Sequence, residues 1–204
     1  MVCGSSVLAH FLKFFVTIGC MKYLKDPYRG KGRIWSLRAY EIILSHSILG
    51  ILRFGLPFVT SSSTIAKYFR NFYDWYSKIV DVVPLALFTT SILNEYGTNE
   101  KIRLIVLSLG ILPIFFQLNA KRKENQLRKY RLLINVTVTM QLFVVFVVGI
   151  KNNNYNVISL VVSYIFERFF IDEFCYSYEI PSTDLTQYCY CFIEIFLMLT
   201  LNEV

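Results

Sequence analysis

Charge is scarce in this chain. Asp, Glu, Lys and Arg make up 17% of its 204 residues, against about 25% in ordinary soluble domains. So few charges cannot cover a water-facing surface, which argues against a soluble domain. Histidine is scarcer still, at His10 and His46 alone. One chain with two histidines cannot build a His₃ zinc site, and neither HExxH, GxSxG nor a Walker sequence occurs. No metal and no cofactor is therefore expected. The five cysteines, Cys3, Cys20, Cys175, Cys189 and Cys191, contain no CxxC pair. Cys189 and Cys191 would point about 200° apart on a helix, so small apolar membrane residues explain them better than a disulfide framework.

What is present is apolar: 55% of residues, with a mean hydropathy of +0.48. A hydrocarbon layer of roughly 30 Å takes about 20 apolar residues to cross as a helix. Apolar runs of about that length occur at 2–21, 39–60, 79–93, 102–118, 132–150, 157–171 and 185–201. The expected fold is an all-α, polytopic transmembrane helix bundle of six to seven spans, forming a single transmembrane domain over 1–204. The first run lacks the basic start and small-residue cleavage site of a signal peptide, and is expected to be an uncleaved membrane helix. Residues 61–78 mix Lys and Arg with Tyr, Phe and Trp, the composition of an interfacial helix. Short spans favour a thin membrane, the endoplasmic reticulum or another endomembrane, over the plasma membrane.

The net charge of +7 gathers in two loops, around residues 22–38 and 121–131. Basic loops suit the anionic cytoplasmic leaflet, so the expected partners are the lipid bilayer and other membrane subunits, with no nucleic acid. Three apolar runs separate the two loops and would put them on opposite sides, which leaves orientation open.

Ionisable residues inside apolar runs need a reason to be there, since each costs about 2.5–3.5 kcal/mol at the bilayer centre. His46, Gly50, Arg53 and Pro57 fall on one helical face, which either lines a polar cavity or adjusts packing while Arg53 snorkels to the headgroups. Ser159, Ser163 and Glu167 recur every four residues, so Glu167 either faces the bundle or ends its helix at the interface. Glu194 sits mid-run on a stripe with Gln187 and Tyr190, and must be protonated, paired or hydrated there. Asp81, beside Pro84, is the other enclosed acid. Depth arithmetic suggests that Arg53 and Asp81 pair between neighbouring antiparallel helices. The candidate polar set is therefore His46, Arg53, Asp81, Glu167 and Glu194.

A non-enzymatic role is expected: a carrier, channel-like protein or accessory subunit that contacts a small solute, a lipid headgroup or a partner helix. The alternatives are a lipid-modifying enzyme using His46 with Asp81 or Glu194 as acid and base, and a structural membrane-shaping protein.

Overall fold

Apolar runs with no water to satisfy their backbones must close their hydrogen bonds internally, and helix is how they do it here. The computed structural model describes residues 4–24, 33–56, 64–119 and 124–203, without the side chains of 117–119 and 124–127. Cys3, residues 57–63, which include Pro57, and residues 25–32 and 120–123 of the two basic loops lie outside the described residues.

The helices are α1 (Gly4–Tyr23), α2 (Arg33–Gly55), α3 (Thr64–Val80), α4 (Val83–Glu95), α5 (Glu100–Asn119), α6 (Glu124–Lys151), α7 (Asn156–Ile165), α8 (Ile171–Tyr178) and α9 (Ser182–Asn202). A turn at Asp81 and Val82 joins α3 to α4. Pro84 fits the first turn of α4 because that turn does not need its missing N–H. Between α7 and α8 the chain makes a five-residue π-helical segment, Phe166–Phe170, which carries Glu167 and Arg168.

Successive rods run antiparallel. One end of the bundle is tied by Arg33, which lies 3.5 Å from Glu95 and donates to the Leu201 carbonyl at 3.2 Å. There Asn154 donates to the Tyr96 hydroxyl and the Thr200 carbonyl, and Asn202 donates to the Tyr23 carbonyl. The start of α1, the end of α2 and the start of α9 meet at the opposite end, where Ser6 donates to Asp184. At the α4–α5 turn Gly97 takes φ +66°, a left-handed conformation that glycine adopts without strain.

Polarity is arranged inside out. Lys13, His10, His46, Gln187 and Glu194 are buried, while Leu8, Phe15, Leu104, Phe115, Met140, Phe143 and Val162 stand exposed. A soluble protein would expose the first group and bury the second, whereas a lipid-facing bundle gains from the reverse. In α4 every residue from Pro84 to Leu93 is buried, because this helix runs between α2, α5 and α6. Among the described residues the chain is all-α, with several apolar helices that are consistent with membrane association and support an integral, multi-pass location.

The expectation of six to seven spans is corrected. Among the described residues, four helices are long and apolar enough to cross a membrane: Gly4–Tyr23, the continuous α3–α4 rod Thr64–Glu95, Arg128–Lys151 and Ser182–Asn202. The expected span 39–60 fails because α2 carries Arg38, Glu41 and Arg53 among Ser36, His46 and Ser47. The run 102–118 continues past Phe116, where the described side chains of α5 end, so it is not among these four; the first turn of α5 holds Glu100, Lys101 and Arg103. The run 157–171 is cut by the π segment with Glu167 and Arg168. The run 79–93 is the second half of a longer rod. Its first half, α3, covers most of the stretch expected at the interface and buries Ala66 and Tyr73 within the protein.

Candidate polar cavity

Three helices each present a polar seam to the same interior. On α1, Ser6, His10, Lys13, Thr17 and Cys20 are buried, at alternating gaps of three and four that hold one helical face. On α9, Asp184, Gln187, Cys191 and Glu194 are buried in the same rhythm, and on α2 His46 and Gly50 complete the wall. Helix α3 closes the space with Tyr73, Asp74 and Ser77. The result is a cavity of about 300 Å³, lined by His10, His46, Arg53, Phe54, Tyr73, Asp74, Asp81, Asp184, Gln187 and Tyr190 among others.

A chain of hydrogen bonds crosses its floor. Lys13 Nζ donates to Gln187 Oε1 at 2.5 Å and lies 2.8 Å from His46 Nδ1. His46 Nε2 is 3.0 Å from Ser77 Oγ, which donates to the Tyr73 carbonyl at 2.9 Å. The Lys13 ammonium also sits 5.2 Å from the centre of the Tyr190 ring, a cation–π distance. Nearer the rim, the Tyr73 hydroxyl is 3.1 Å from His10 Nε2. The His10 ring stacks on Phe54, and a Cβ at position 50 would collide with it. Gly50 is thus the small residue that lets α1 and α2 close over an imidazole.

Some polar atoms of this wall have no hydrogen-bond partner. Asp184 Oδ2 and His10 Nδ1 are both buried and unpaired, although Asp184 Oδ1 accepts from Ser6 at 2.5 Å. A buried polar atom left without a partner costs about 1–3 kcal/mol, so each marks a place where water or a ligand would restore a bond.

Three of the five sequence candidates line this cavity: His46, Arg53 and Asp81. Arg53 makes its ion pair with Asp74, about two turns back along the rod, rather than with Asp81. Glu194 lies deeper in the seam, fully buried, with neither carboxyl oxygen hydrogen-bonded. Its α1 neighbour is Lys13, for which Glu194 is the strongest electrostatic partner. Glu167 stands outside the cavity wall in the π segment, half-buried, beside an Arg168 that donates to Asn135. Burial first, and then the nearby Asp81 carboxylate, push the Glu167 carboxyl up to about 7.

Sequence reasoning missed Lys13, His10, Asp184 and Ser77 as parts of one site. Lys13 was detectable by the rule that singled out Glu194, since it interrupts an apolar run at its middle. Among the described residues no group of three or more His, Cys, Asp or Glu could hold a metal ion. Comparisons with protein-family models, curated proteins and solved structures find no match.

Proposed function

We propose that this multi-pass membrane protein binds a small polar solute in the cavity between α1, α2, α3 and α9, as a non-enzymatic carrier would. The observation that carries this reading is a cavity of about 300 Å³ whose buried wall holds unpaired polar atoms on Asp184 and His10. Its volume falls at the lower end of small-molecule sites, roughly 300–1,000 Å³. A polar wall in the interior of an apolar bundle has no use in packing alone, because every polar atom there pays for leaving water. His46, Arg53 and Asp81 serve in this reading as wall residues, with Glu194 and Glu167 outside the contact surface.

A catalytic role for His46 has less support. Both of its ring nitrogens are already engaged, by Lys13 and by Ser77, and Glu194 does not line the cavity. A free imidazole nitrogen within reach of a carboxylate is what acid–base work would need. A lipid headgroup is a weaker candidate than a solute, since the rim is formed by the polar ends of α2 and α9, with Asp74 58% exposed.

The test is native mass spectrometry of the full chain released from mild detergent. The wild type is expected to carry a small polar molecule that Asp184→Asn loses. Wild-type protein that carries phospholipid alone, equally in both forms, would contradict the proposal.

A further inference from the structure

We infer that the occupant of this cavity is a small organic cation, a protonated amine on an apolar or aromatic body, an assignment that rests on the binding role proposed above. The lining holds one permanent cation, Arg53, against three carboxylates, Asp74, Asp81 and Asp184. Arg53 is already committed, paired with Asp74 and lying 4.5 Å from the centre of the Tyr73 ring. The second cation of the region, Lys13, does not line the cavity and directs two of its three hydrogens to His46 and Gln187. What the wall leaves unspent is therefore acceptor and negative.

Asp184 Oδ2 has no partner although the residue is 4% exposed, and His10 Nδ1 has none at 2%. His10 Nε2 and the Tyr73 hydroxyl share one hydrogen bond at 3.1 Å, so the acceptor that the wall leaves unpaired whatever the histidine tautomer is Asp184 Oδ2. An ammonium group, with up to three donors and no acceptor, gives Asp184 Oδ2 the partner it lacks. A carboxylate or phosphate in the same place would add a fourth negative charge with no free cation to receive it. The rings of Phe54 and Tyr190 are part of the lining and supply a wall for the apolar body.

The experiment compares three solutes of matched shape against the full chain in mild detergent at pH 7: 2-phenylethylammonium, 2-phenylethanol and 3-phenylpropionate. The readout is the shift in melting temperature with concentration. The ammonium ion is expected to stabilise the wild type, and Asp184→Asn to weaken that effect at least about tenfold, the scale of one charge-assisted hydrogen bond. Asp81→Asn, whose side chain faces the cavity, gives a second reading should Asp184→Asn fail to fold. Absence of a shift with the ammonium ion, or an equal shift in both variants, overturns the inference. The other two solutes then report on the cavity itself: stabilisation by either keeps the binding role, and silence from all three removes it as well.

Discussion

Lys13 Nζ lies 2.8 Å from His46 Nδ1, and this contact fixes the state of the histidine. With Lys13 charged, its nitrogen has only hydrogens to offer, so Nδ1 accepts and the imidazole is neutral. Nε2 then carries the ring hydrogen and gives it to Ser77, whose own hydroxyl hydrogen goes to the Tyr73 carbonyl. Two of the three Lys13 hydrogens, the His46 ring hydrogen and the Ser77 hydroxyl hydrogen each meet an acceptor in this chain of bonds. Lys13→Met keeps the length of the side chain but strands His46 Nδ1 and Gln187 Oε1, and should cost about 2–4 kcal/mol by thermal unfolding in detergent. It also removes the cation that offsets Glu194. Adding Glu194→Gln should recover about 0.5–3 kcal/mol of that loss. Losses that simply add would show Lys13 and Glu194 uncoupled.

Gly50 and His10 make a second, independent pair. The His10 ring occupies the space that a side chain at Gly50 would need, so Gly50→Ala should destabilise by about 1–3 kcal/mol through overpacking. Truncating the ring in the double variant His10→Ala/Gly50→Ala should restore part of this. A Gly50→Ala protein as stable as wild type would show that α1 and α2 do not approach this closely.

Arg53 pairs with Asp74 at the cavity rim, where the Asp74 side chain is 58% exposed. Exposed pairs contribute about 0.2–1 kcal/mol. A double-mutant cycle on Arg53→Leu and Asp74→Leu should give a coupling in that range, and the same cycle with Asp81→Leu should give close to none. A larger coupling with Asp81 would reverse the assignment.

The pH dependence follows from Glu167, outside the four apolar helices. Its folded-state value of about 7 lies above the ordinary carboxyl value of 4.5, so folding favours the protonated form. That contribution is complete below about pH 4.5 and is lost as pH rises through 7. The wild type should lose stability between pH 5 and pH 8 that Glu167→Gln, always neutral, retains. Parallel curves for the two proteins would place Glu167 in contact with water.

Helical class and lipid character were legible in the sequence because both follow from apolar runs with few charges. The number of spans was not. Hydropathy cannot tell an apolar run that faces lipid from one such as α4, which is buried on all sides because other helices surround it. It also cannot tell that α3 and α4 make one rod, as a surface composition and a membrane composition meet within it. That join decided the partner of Arg53. With α3 helical from Thr64 onward, Asp74 comes opposite Arg53, whereas counting from a span that starts at 79 brought Asp81 there. Glu194 stood out because a charge mid-run is costly. The seam that faces it, from Ser6 to Thr17, needed the packing of α1 on α9 to become visible, since nothing local in either helix names the other.

The most direct measurement is the reaction of a single cysteine at position 77 with charged methanethiosulfonates, in protein whose native cysteines have been replaced. Ser77 lines the cavity beside His46, well inside the rod Thr64–Glu95. A water-open cavity with surplus negative charge predicts labelling of Ser77→Cys by a trimethylammonium reagent, several-fold faster than by a sulfonate reagent of similar size. The difference should shrink in Asp184→Asn. A cysteine at 77 that reacts with neither reagent in folded protein would contradict the cavity and, with it, the proposed binding role.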